Sequence, residues 1–213
     1  MGKKDGTATM GTFFVAALII ALLPVISCRK EEPASRKAPV QSINPYASDS
    51  VFVEVKQKLQ ENPKDADAWF HLGDLYERNA QYAEAIDAYK KVIELKPDMG
   101  YAYLKMGTSY DRLNQPEEAV KILKKGIQRM PGFAVGYNNL GIAYGKLGKF
   151  SEEIAALKKA IKLRPSYSGA RFNLGMTYLK VKDKKAAMRE YESLKNFDEG
   201  AAEALLKEIS RAS

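Results

Sequence analysis

Three residue types run through this chain in phase. Gly73, Gly107, Gly141 and Gly175 stand 34 residues apart, and Tyr76, Tyr110, Tyr144 and Tyr178 repeat the step three residues later. Pro63, Pro97, Pro131 and Pro165 keep the same 34-residue spacing. A fixed period in this range means stacked copies of one small unit, none of which buries its apolar face alone. Such a stack has no single enclosed pocket. It presents one long concave surface, of the kind that holds another polypeptide.

Within the first unit Trp69, Leu72, Gly73 and Tyr76 fall at i, i+3, i+4 and i+7, one face of a helix. Ala85 and Tyr89 follow, and Pro97 closes the unit. This W-x2-L-G-x2-Y, A-x3-aromatic, P pattern resembles the tetratricopeptide repeat, two antiparallel helices per 34 residues. The second unit keeps Tyr103, Met106, Gly107, Tyr110, Ala119 and Pro131, and the third Tyr137, Leu140, Gly141, Tyr144, Ala160 and Pro165. The fourth keeps Leu174, Gly175, Tyr178, Ala187 and Tyr191, but has Arg171 at the aromatic position and Glu199 at the proline position. The resemblance spans 66–199 and implies an all-α fold, a right-handed superhelical solenoid of about four helix pairs. The recurring residues read as core builders. Glycine admits the second helix, which a small residue such as Ala85, Ala119 or Ala187 is expected to bring close, and proline stops that helix. Glu153 takes the alanine position in the third unit, where it is expected to swing out to solvent or to hold the helices apart.

Solenoids need polar end caps. Ala202, Leu205, Leu206 and Ile209 form an apolar stripe, so 200–213 is predicted to be a capping helix. At the other end Val51, Phe52, Val55 and Leu59 precede Pro63. Val51, Val53 and Val55 also alternate as in a strand, but the phase of Pro63 favours a degenerate half-repeat helix over 51–65.

The amino terminus carries a different signal. Lys3 and Lys4 precede an apolar run from Phe13 to Ile26, broken by Pro24 and too short to span a bilayer. Val25-Ile26-Ser27-Cys28 resembles the bacterial lipobox, and Cys28 is the sole cysteine. The reading is a lipoprotein signal over 1–27, cleavage before Cys28, and lipidation of that residue; an ordinary secretory signal with an incidental cysteine is the alternative. Two or more acyl chains anchor stably where one is marginal. Residues 28–50, with Pro33, Pro39 and Pro45 among Ser, Lys and Glu, read as a disordered tether.

Little here suits catalysis. His71 is the only histidine, which leaves no multi-histidine metal cluster; no Ser/His/Asp arrangement is apparent around it, and no phosphate-cradling glycine loop is present. Glu117-Glu118 and Glu152-Glu153 sit where acidic residues favour a helix amino terminus. No catalytic residue, metal or cofactor is expected. The net charge is +8, and removing residues 1–27 takes away Lys3, Lys4 and Asp5, leaving +7. Much of it recurs as Lys90-Lys91, Lys124-Lys125 and Lys158-Lys159. That reads as a solvated helix face; were it functional, an exported protein would meet anionic lipid or acidic wall polymers, not nucleic acid.

The resemblance also implies which side chains face the groove. They are Phe70, His71, Lys105, Asn138, Asn139, Ile142, Phe172, Asn173 and Met176. Phe172, Met176 and Leu179 read as an apolar patch, with cover by the capping helix as the other reading. Asn139 and Asn173 resemble the asparagine rungs by which some family members hold an extended backbone, since an amide donates and accepts at once. The family's carboxylate clamp for chaperone tails is not matched, because its stations carry Phe70, Asp74, Lys105, Val135 and Asn139, or Leu104, Thr108, Asn139, Gly169 and Asn173. The expected protein is a non-catalytic adaptor tethered to a bacterial envelope membrane, on the periplasmic face of the outer membrane where there is one. Its expected partner is a protein or peptide within an assembly machine of the pilus, secretin, outer-membrane or cell-wall kind. A chaperone for apolar segments and a wall-binding module using the lysines are the competing readings.

Overall fold

The computed structural model describes residues 50–212, which form ten helices and, among the described residues, no strand. A leading helix α1 (Ser50–Glu61) is followed by four pairs: α2 (Ala66–Arg78) with α3 (Tyr82–Leu95), α4 (Gly100–Arg112) with α5 (Pro116–Arg129), α6 (Ala134–Lys146) with α7 (Phe150–Leu163), and α8 (Ser168–Lys180) with α9 (Lys184–Leu194). Helix α10 (Glu199–Arg211) closes the stack. Each helix packs on its sequence neighbours, and α6 also touches α4 and α8, so α2, α4, α6 and α8 are the inner row. The lipobox-like segment, Cys28 and the proline-containing stretch lie outside the described residues.

Helix α1 resolves the ambiguous valines. Phe52, Val55 and Leu59 are buried while Val51 and Val53 are exposed, the three-and-four spacing of a helix with one apolar face.

The turn inside every pair is the same. Ala80, Asn114, Gly148 and Lys182, again 34 residues apart, have φ of 55°, 56°, 69° and 62°. In each turn the next residue's N–H reaches back to the repeat tyrosine's carbonyl: Gln81 to Tyr76 and Gln115 to Tyr110 at 2.9 Å, Lys149 to Tyr144 at 3.0 Å, Asp183 to Tyr178 at 2.8 Å. This is a Schellman close, which satisfies carbonyls that the helix end leaves open. The left-handed station suits Gly148 and Asn114; Ala80 and Lys182 hold the same backbone with a Cβ in the way.

The in-phase glycines are contact points for large side chains. A Cβ on Gly73 would lie 2.6 Å from the Tyr89 ring, on Gly107 2.6 Å from Leu123 Cγ, and on Gly141 2.8 Å from Leu157 Cγ. Ala85 and Ala119 are fully buried, but the groups that fill the glycine notch are Tyr89, Leu123 and Leu157, one turn later. The sequence expectation of a small residue at the notch is corrected here: a missing Cβ makes room for a large side chain. Burying one such leucine contributes about 1.5–3 kcal/mol.

The fourth unit departs from this rule. Gly175 meets Leu205 of α10, whose Cδ2 would be 2.6 Å from its Cβ, and not a side chain of α9. Helix α9 is 11 residues long, and α10 packs on both α8 and α9 around the fully buried Leu194, Ala202, Leu205 and Ile209. Arg171 nevertheless does part of an aromatic residue's work. Its Nε donates to the Pro165 carbonyl at 3.0 Å, as Trp69 Nε1 donates to the Pro63 carbonyl at 2.9 Å. Its guanidinium also pairs with Glu190 at 2.9 Å.

Candidate functional site

Three hollows follow one another along the inner row. The first, about 290 Å³ between α2 and α4, includes Asp74, Glu77, Lys105 and Arg112. The second, about 320 Å³ between α4 and α6, includes Arg112, Thr108, Asp111, Asn139, Ile142 and Lys146. The third, about 230 Å³ between α6 and α8, includes Ile142, Lys146, Glu153, Asn173 and Lys180. Arg112 is common to the first two, and Ile142 and Lys146 to the last two, so the hollows make one continuous groove.

The first hollow is a charged knot. Lys105 Nζ lies 2.7 Å from Glu77 Oε2 and 3.1 Å from Asp74 Oδ1. The Tyr89 hydroxyl donates to Asp74 at 2.7 Å and to Glu77 at 3.2 Å. Burial, and then the two carboxylates it serves, push the Tyr89 hydroxyl far above the ordinary tyrosine range, so it remains a donor. Burial pulls the Lys105 ammonium down, but its bonds to Glu77 and Asp74 outweigh this and leave it above the usual lysine value. The charge of Lys105 is spent internally at this end.

The other end is held by amides. Asn173 Nδ2 donates to Asn138 Oδ1 at 3.0 Å, Asn138 Nδ2 to Asn139 Oδ1 at 3.2 Å, and Asn139 Nδ2 to Thr108 Oγ1 at 3.1 Å. Thr108 in turn donates to the Leu104 carbonyl at 3.0 Å. One line of hydrogen bonds therefore crosses α8, α6 and α4. Asn138 is buried, at 6% exposure, while Asn139 and Asn173 are half-buried. The two asparagines are thus not the free rungs that the resemblance implies, but members of an internal ladder that still has unused amide capacity.

The remaining expected groove residues divide. Ile142 lines two hollows and Lys105 one. Phe70 leans on Tyr89, ring centroids 5.6 Å apart, and His71 is exposed on α2 outside the hollows. Phe172, Met176 and Leu179 pack against the core formed with α9 and α10. Cover by the closing helix is the reading that holds for that patch.

Sequence reasoning passed over a basic column. Arg78, Arg112, Lys146 and Lys180 share one station 34 residues apart, and all four line the groove. The phase that revealed the glycines also contains them. Their surroundings differ: Lys146 pairs with Asp111 at 2.7 Å, and Lys180 lies over the Phe150 ring at 5.8 Å, whereas Arg78 and Arg112 make no ion pair among the described residues.

The outer lysines have intramolecular roles. Lys56, Lys124 and Lys158 sit 5.9, 5.6 and 5.9 Å from the rings of Tyr76, Tyr144 and Tyr178. Lys90 pairs with Asp87 at 2.9 Å and Lys91 with Glu94 at 2.6 Å. Among the described residues no acidic, His or Cys cluster is arranged to hold a metal, and no helix is long and apolar enough to cross a membrane.

Comparison with known proteins agrees with this architecture. Tetratricopeptide repeat models match residues 66–99, 101–131, 134–167 and 168–202. No curated protein matches the chain. Among solved structures, MamA 41-end from Desulfovibrio magneticus RS-1 superposes with TM-score 0.66 at 22% identity, covering 69% of this chain and 83% of that one. PilW, a widely conserved type IV pilus biogenesis factor, gives TM-score 0.68 at 21% identity over 78% of this chain and 80% of its own. YrrB, a TPR protein with an unusual peptide-binding site, gives 0.64 at 20% identity over 73% and 81%. At these identities the likeness is one of fold.

Proposed function

This chain belongs to the tetratricopeptide repeat family, and on that footing we propose that it is a non-catalytic scaffold holding an extended segment of a partner protein along its inner-helix groove. The observation that carries the reading is the continuity of the three hollows, lined by polar groups that keep capacity for an outside ligand. An extended backbone has one donor and one acceptor per residue, and amides such as Asn139 and Asn173 answer both. The peptide-binding site of YrrB and the pilus role of PilW belong to those proteins; they support looking for a partner in an envelope assembly machine.

The second part of the proposal is an address: lipid on Cys28 and residues 29–50 as a spacer of on the order of 25 Å as a coil. It is supported by the lipobox-like pattern and the single cysteine. Labelling with a radioactive fatty acid should mark the wild type and not Cys28→Ser; label on the serine variant refutes the anchor.

The groove is tested with photoreactive residues at Arg78 and Arg112, which line it without ion pairs, and at Lys125 on an outer helix as control. Both groove positions should crosslink to one and the same protein in intact envelopes. Crosslinking from Lys125 alone would move the working surface to the outer helices.

A further inference from the structure

One acid in the groove has no cation. Glu77 and Asp111 occupy the same station of successive units, and each receives a lysine from the next inner helix: Lys105 at 2.7 Å and Lys146 at 2.7 Å. The third unit has Gly145 there, with no side chain to offer. Glu153 supplies the carboxylate from α7 instead. A Cβ on Gly145 would lie 2.6 Å from Glu153 Oε1, so the acid occupies the space that the glycine leaves. Glu153 is 4% exposed, its Oε2 accepts no hydrogen bond, and it lines the third hollow. Neither neighbouring lysine serves it. Lys146 is turned to Asp111, contacting both its carboxylate and, at 2.8 Å, its carbonyl, and Lys180 lies over Phe150.

A buried carboxylate without a partner is strongly unfavourable, and such a group in a native fold calls for an explanation. We infer that the third hollow seats an arginine side chain of the bound segment, its guanidinium paired with Glu153. The inference rests on the groove reading above and adds to it a chemical requirement on the partner. A guanidinium is more weakly hydrated than an ammonium and presents a planar fork of donors. Ile142 gives that plane an apolar wall, and Asn173, on the same hollow, has a carbonyl oxygen not used in the amide ladder. Further N–H groups therefore have an acceptor besides the carboxylate. The carboxylate sits in the space that Gly145 leaves, and the partner's cation completes a column that the chain completes for itself in the first two units.

The test needs no knowledge of the partner. The full-length chain, nitrogen-labelled, is titrated with the capped pentapeptide Ala-Ala-Arg-Ala-Ala and with its citrulline counterpart, which has nearly the same shape and no charge. Saturable amide shifts at Ile142, Gly145 and Asn173 are expected with the arginine peptide only. Glu153→Gln should weaken this binding about tenfold or more while raising the unfolding midpoint, because it removes an uncompensated buried charge. Lys180→Met should leave binding intact or tighten it. Equal shifts from both peptides, or arginine binding indifferent to Glu153→Gln, would overturn the assignment; the peptide pair decides the matter even if the variant folds poorly. No binding to wild type but clear binding to Lys180→Met would also overturn it, since Lys180 then fills the site. If the crosslinks from Arg78 and Arg112 succeed while the arginine peptide fails, only this inference falls, and the groove remains.

Discussion

At the α2–α4 end of the groove the inner helices are joined by charge: two carboxylates, one lysine and a tyrosine hydroxyl within 2.7 to 3.2 Å of one another. At the α6–α8 end they are joined by amides, Asn173 to Asn138 to Asn139, with Thr108 beyond. The stations are the same in every unit; only the residues differ. The charged knot closes on itself and is half open to water, where screening reduces what it contributes. The amide ladder runs through a buried residue and cannot be screened. It also leaves unused donors and acceptors on the groove side, beside Glu153, the acid lining the groove that has no cation. In the proposed binding mode, the α6–α8 end offers a bound segment amides and an unpaired acid, while the knot at the α2–α4 end is committed to holding the fold.

The largest effect that separates the two ends is expected at Asn138. Asn138→Ala leaves Asn173 without its acceptor and Asn139 without its donor, and should cost about 2–3 kcal/mol in urea unfolding. The loss should not change with salt. A cost below about 0.5 kcal/mol would mean that water replaces the amide and that the ladder does not hold the helices.

Lys105→Met attacks the charged knot and leaves Asp74 and Glu77 facing each other. With Lys105 over a third exposed, the expected cost is about 1 kcal/mol at low ionic strength, shrinking toward zero near 1 M salt. A salt-independent loss would place the lysine's contribution in packing of its stem and erase the distinction between the two ends.

The smallest effect serves as an internal standard, because the left-handed turn is common to all four pairs. Lys182→Gly relieves a strained station and should stabilise by about 0.5–1 kcal/mol, while Gly148→Ala should destabilise by about 1 kcal/mol. Both are read as shifts in the thermal midpoint. Opposite signs from one turn geometry confirm that backbone strain, not neighbouring groove chemistry, decides these positions.

Much of the fold is legible in the chain itself, for a physical reason: helices and their stops depend on local spacing. The phase of Gly73, Tyr76 and Pro97 specifies helix pairs, and the phase of Pro63 predicts a helix over 51–65 where the valines alternate; helix α1 runs over Ser50–Glu61. The left-handed station is harder to see, since Ala80 and Lys182 are poor residues for it and only Asn114 and Gly148 signal it. What the side chains do with one another depends on distances between units, and that is a tertiary matter. Arg171 breaks the aromatic pattern yet makes the hydrogen bond of Trp69. Tyr191 keeps the pattern, but the Gly175 notch is filled by Leu205 from a helix outside the repeat. Asn139 and Asn173 read as exposed rungs because a sequence shows their station and not Asn138 reaching between them. Glu153 reads as a misfit among alanines. Only the folded stack shows that Gly145, one unit's missing side chain, makes the space that its carboxylate fills.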